Sequence, residues 1–130
     1  MSDYTIKNVK ADVDDMAPQF GLGGKIEGRF AREPLGCEKL GISYMRLTPG
    51  FRVPFGHRHA EQEEVYLVVS GSGRVNLEGE VAELKQWDAV RVSPPVTRAF
   101  EAGPDGLELV IVGAPKTAER DGEMLQGWWG

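Results

Sequence analysis

Residues 54–73 read PFGHRHAEQEEVYLVVSGSG. Both histidines of the chain lie here, as His57 and His59, and Glu64 follows five residues after the second. In a strand, residues i and i+2 share a face, so the two imidazoles can point into one space. Imidazole nitrogens are good ligands for first-row divalent metals. Glu64 stands at an odd spacing from His59, so residues 60–63 must turn or bulge if it is to join them. Glu64, Tyr66 and Val68 then face one way, and Val65, Leu67 and Val69 the other. Two histidines and one carboxylate would leave coordination positions open, as metal-assisted and oxygen-activating chemistry requires. From the residues alone a second reading stands beside this one. The stretch is equally a polar turn before a buried strand, with Glu61, Glu63 and Glu64 as a solvated acidic patch.

Outward from this stretch, the chain reads as short strands separated by turns. YTIKNVK near the start alternates, and so do KIEGRFAR and LGISYMRL. EVYLVVSG is apolar on both faces, as a strand between two layers would be. GRVNLEG and EVAELK flank Glu78 and Gly79 and read as a β-hairpin. DAVRVS and TRAFEA follow, separated by Pro94 and Pro95. GLELVIVG is expected as a separate strand, entered through a turn at AGPDG. DVDDMAPQF has room for a single helical turn, limited by Pro18. APKTAERDG reads as a polar loop. The terminal Trp128 and Trp129 either fold back onto the barrel or pack across a subunit interface. No segment sustains a helical period. Strands at eight- to twelve-residue intervals point to an all-β sandwich or barrel.

The bulk properties agree. A chain of 130 residues suits one domain, with a barrel core at about 25–113, an N-terminal arm at 1–24 and a C-terminal tail at 114–130. Seventeen glycines and eight prolines suit a chain that turns often. A net charge of −5 argues against nucleic acid and anionic membrane as partners. Cys37 is the only cysteine, so an intramolecular disulfide is excluded and a thiolate zinc site lacks ligands. It reads as a small half-buried hydrophobe. The polar N-terminus has no apolar h-region, and the expected location is cytoplasmic.

The quoted stretch also resembles the first motif of the cupin superfamily: glycine, five residues, His-x-His, three or four residues, Glu, six residues, glycine. Gly50, His57, His59, Glu64 and Gly71 occupy these positions, with one extra residue in the first gap. The likeness covers roughly residues 40–113. It implies a double-stranded β-helix, or jelly-roll barrel, and little helix. It implies a divalent metal (Fe, Mn, Zn, Ni or Co) held by His57, His59 and Glu64, a small-molecule ligand, and a homodimer. The second cupin motif is glycine, five residues, Pro-x-Gly, two residues, His. Trp87, Ser93, Pro95 and Arg98 stand at those positions, so an arginine replaces the fourth ligand.

Arginine stays protonated and does not ligate metal. Three readings follow. In the first, His57, His59 and Glu64 hold the metal, Arg98 clamps an anionic substrate, and Tyr66 donates a hydrogen bond or a proton. Oxygenase, isomerase and lyase chemistry all fit such a site. In the second, no metal binds: Arg98 takes the cation's place against Glu64, and the histidines act as acid–base groups or bind a small molecule. In the third, Arg98 faces solvent and the barrel is a binding or structural module.

Overall fold

The computed structural model describes residues 3–115, 122–126 and 128–129. Eight strands run antiparallel in one curled sheet. They are β1 (Ile26–Phe30), β2 (Gly41–Leu47), β3 (Phe55–His59), β4 (Glu64–Leu77), β5 (Glu80–Lys85), β6 (Ala89–Val92), β7 (Arg98–Gly113) and β8 (Gly122–Gln126). Among the described residues, helix is confined to α1 (Val9–Asp12), α2 (Arg32–Leu35) and a 3₁₀ turn at Ala17–Phe20. The all-β expectation is met, and the strands expected around β1, β2, β4 and β6 are present.

The longest ladder decides the shape. β4 and β7 pair from Glu64 opposite Gly113 to Leu77 opposite Arg98. The ladder is broken between Val68 and Ser70 and again between Gly71 and Gly73. Gly71 has φ +77°, and a Cβ there would lie 2.0 Å from the Gly106 carbonyl oxygen. At Gly73 a Cβ would meet the Glu101 carbonyl oxygen at 2.2 Å. Only glycine lets the two backbones approach this closely and bend together. The bent ladder folds over a core of Leu47, Val68, Val75, Leu107 and Leu109, all at most 1% exposed. Each such side chain contributes about 1.5–3 kcal/mol by leaving water.

The hairpin at Glu78 and Gly79 forms as expected, with φ +53° and +92° at its two central residues, as a tight β4–β5 connection requires. Elsewhere the sequence misleads. AGPDG is not a turn between two strands, because β7 runs unbroken through it. Gly73 pairs with Ala102 and Gly71 with Leu107, so residues 103–106 bulge out opposite Ser72 alone. The two glycines and the proline of that segment serve a bulge at the bend. YTIKNVK forms no strand. Tyr4 and Ile6 are 78% and 87% exposed, and the Asn8 side chain accepts from the amides of Lys10 and Ala11 to start α1. This local cap wins over an alternation that has no neighbouring strand to pair with among the described residues. A helical turn forms at Ala17–Phe20, but Pro18 lies at its start and Gly21 ends it, so the proline opens the turn that it was expected to limit; Asp15 Oδ1 accepts from the Ala17 and Gly28 amides. Cys37 is half-buried. The polar loop expected over 114–122 falls mostly on residues 116–121, outside the described residues, and β8 beyond it was not anticipated.

Candidate metal centre

Strand β3 carries both histidines. Their rings lie 5.4 Å apart and nearly perpendicular, at 88°. The chain then reverses through residues 60–63, as the odd spacing to Glu64 demanded. Buried Gln62 pins this reversal by donating from Nε2 to the Ala114 carbonyl at 3.0 Å. Glu64 opens β4 and points inward with Tyr66, the alternation expected of that strand.

Four side chains converge on one carboxylate oxygen. Glu64 Oε1 is 3.2 Å from His59 Nε2 and 3.7 Å from His57 Nε2. The Tyr66 hydroxyl donates to it at 2.6 Å and stands 3.2 Å from His57 Nε2. Arg98 Nη2 is 3.7 Å away. The ligand atoms of His57, His59 and Glu64 all lie within 4.8 Å of one another. Two imidazole nitrogens and one carboxylate oxygen, close together in a partly buried setting, are a donor set that first-row divalent cations accept.

The electrostatics follow from this crowding. Burial opposes ionised Glu64, but hydrogen bonding to His57, His59 and Tyr66 outweighs it and holds the carboxyl well below the usual carboxylate range. Tyr66 moves the other way. Burial and then the Glu64 charge push its hydroxyl well above 10, although Arg98 pulls it down. Tyr66 is therefore a neutral donor at physiological pH.

Arg98 is 0% exposed, so the solvent-facing reading is overturned. It opens β7 between His57 of β3 and Leu77 of β4. Nη1 donates to the carbonyls of His57 and Pro94 at 3.4 Å each, which is long for such bonds. Nε and Nη2 have no hydrogen-bond partner among the described residues. Glu64 is the carboxylate within ion-pair reach of the guanidinium among those residues.

The C-terminal segment braces the histidine strand. β8 pairs with β3 along its length, with Gly122 opposite His59 and Met124 opposite His57. Trp128 Nε1 donates to the Asn76 carbonyl at 3.4 Å, and Trp129 Nε1 donates to the Val53 carbonyl at 2.9 Å. The Arg52 guanidinium lies 4.4 Å from the Trp129 ring centre. Gly56 leaves room for this packing, since a Cβ there would meet Trp128 Cγ and Thr97 Cγ2, each at 2.8 Å. Of the two tail readings, the structure shows the tryptophans folded back onto their own barrel. Gly56, Gln62 and the tail were missed as supports of the site. Their contacts are long-range in sequence, and no motif marks them.

The second motif is also visible in the backbone. Trp87 has φ +75°, the left-handed conformation that glycine favours, at the position where the cupin pattern has glycine.

The family model for the cupin domain matches residues 43–113, more than half of the chain. The chain belongs to the cupin family. A cupin protein of Bacteroides fragilis, BF4112, superposes with a TM-score of 0.72 at 24% identity, covering 91% of this chain and 89% of that one. An oxalate decarboxylase variant from B. subtilis superposes with a TM-score of 0.76 at 21% identity, covering 96% of this cupin but 33% of that chain. Both likenesses are of fold, and they make the curled sheet a cupin double-stranded β-helix. The uncharacterized protein MJ1618 of Methanocaldococcus jannaschii is 28% identical over 128 residues, 94% of this cupin and 98% of that protein.

Proposed function

We propose that this cupin binds one divalent metal ion through His57, His59 and Glu64 and acts on a small, anionic molecule at that ion. The observation that carries the reading is the convergence of the three ligand atoms within 4.8 Å. Bound there, the metal would supply Lewis acidity or an oxygen-binding centre. The chain's own groups support this in distinct ways. Tyr66 steadies the carboxylate by donating to Oε1 and presents a neutral hydroxyl beside His57. Arg98 adds a positive charge that favours a negatively charged ligand. The likeness in fold to oxalate decarboxylase makes small carboxylates the first class to try. Oxygenase, isomerase and lyase reactions are each compatible with such a centre.

One observation favours a second reading, a metal-free ligand-binding or sensor module. The buried Arg98 guanidinium already faces Glu64, where its charge can stand in for a metal cation. The two readings separate in a titration of chelator-treated protein with Mn²⁺, Fe²⁺, Co²⁺, Ni²⁺ and Zn²⁺, run in saturating formate or acetate so that a requirement for an anion does not hide binding. One-to-one binding that is lost in Glu64→Gln supports the metal site. Heats indistinguishable from dilution for all five ions support the metal-free module.

A further inference from the structure

We infer that Arg98 makes occupation of the site by a divalent cation conditional on an anion, so that cation and anion bind as a coupled pair. This rests on the metal reading of His57, His59 and Glu64.

The argument is one of charge in a closed space. As the site stands, Arg98 and Glu64 balance: one buried cation faces one carboxylate at 3.7 Å. The same oxygen, Glu64 Oε1, is the one on which both histidines converge. A cation taken up there must share its only charged ligand with a guanidinium that has no contact with water. Arginine cannot relieve this by losing a proton. It cannot swing away either, because its strand holds it between β3 and β4 and its side chain is enclosed. Tyr66 adds no charge while it remains protonated. Two other ion pairs on the flanking segments, Arg58 with Glu123 and Arg91 with Glu63, are exposed and internally balanced. Uptake of a divalent ion therefore leaves the site with a net charge of two, in surroundings where charges are screened weakly.

Two further features point to an anion as the remedy. Nε and Nη2 of Arg98 make no hydrogen bond among the described residues, and Glu64 is the carboxylate paired with the guanidinium there, so a metal that claims Glu64 leaves Arg98 without a counter-charge, which an anion would supply. His57 is the most open of the three ligands, with 31% of its side chain exposed, so the approach to the site lies at its edge. An anion entering there would face two cations together, and each would raise the affinity for it. Linkage then requires the converse: a bound anion must raise the affinity for the metal by the same factor. With the cupin pattern's third histidine in place of Arg98, this excess charge would be absent.

The test is Mn²⁺ affinity measured by titration at fixed pH and ionic strength, with perchlorate as the weakly binding reference salt and formate or acetate as probe. Free Mn²⁺ is corrected for complexation in solution. Wild type is expected to bind Mn²⁺ about tenfold or more tightly at saturating formate or acetate. Arg98→Met is expected to bind Mn²⁺ about tenfold more tightly than wild type in perchlorate, and to lose most of the response to carboxylate. Arg98→Lys, which keeps the charge, should retain the response. A wild-type affinity that is the same in perchlorate and carboxylate overturns the coupling, even if neither variant folds. So does an Arg98→Met protein that binds and responds like wild type. Failure of Mn²⁺ to bind wild type or Arg98→Met under any of these salts removes the metal site itself, and the coupling with it.

Discussion

Glu64 and Arg98 lie at opposite ends of one antiparallel ladder, yet Glu64 Oε1 and Arg98 Nη2 are 3.7 Å apart. Straight strands of this length would hold them about 40 Å from each other. The bend at Gly71 and Gly73 closes the gap, so the fold's sharpest backbone constraint and its most charged cluster are parts of one arrangement. The account is therefore sensitive to substitutions far from the site as well as in it.

Gly71→Ala tests the bend. The new methyl would lie 2.0 Å from the Gly106 carbonyl oxygen, at a φ of +77°. Both terms are unfavourable, and backbone cannot move aside as a flexible side chain can. A loss of about 2–4 kcal/mol in urea unfolding is expected. A loss of a few tenths would show that the bend is not held by that contact.

Glu64→Gln leaves the Arg98 charge buried without its counter-ion. The expected cost without metal is about 3–5 kcal/mol. Its pH dependence has a definite sign. Glu64 has a folded-state carboxyl well below its ordinary value of 4.5. The stability from its ionised form is thus fully present above about 4.5 and is lost as pH falls through the depressed folded value. Urea unfolding of both proteins should show the largest difference near neutrality and a shrinking one in strong acid. A difference that grows in acid would contradict the pairing.

Trp87→Gly reads the strained turn. The side chain is 66% exposed, so little packing is lost, while φ +75° ceases to be a cost. Thermal unfolding should show no loss, or a gain of up to about 1 kcal/mol. Trp87→Val is expected to destabilise. A stable Val variant would mean that the turn readily takes another shape.

Trp128→Ala should release the brace on β3. A loss of about 1–3 kcal/mol is expected, together with weaker metal binding, since His57 and His59 ride on that strand. Light scattering should give the same molecular mass as wild type. A fall in mass would place Trp128 in a subunit interface.

Much of this was legible in the residues. The spacing of His57, His59 and Glu64 correctly foretold a strand, a reversal and an inward carboxylate, because side-chain alternation is a strict rule over short runs. The absence of a third histidine marked Arg98, and only the barrel's closure could show it buried against Glu64. The failures have a common cause. AGPDG and YTIKNVK carry honest local signals, but their fate depends on partners distant in sequence: Ser72 at the bulge, and the lack of a strand beside Tyr4 and Ile6 among the described residues. The same holds for β8, Gly56 and Gln62, whose roles lie wholly in long-range pairing.

The most direct test of the central claim is elemental analysis of natively purified protein, never exposed to chelator, beside its His57→Ala/His59→Ala double variant. The account predicts a transition metal approaching one equivalent in the wild type when small carboxylates are present, and none in the double variant. A wild type that holds no more metal than the double variant would contradict it.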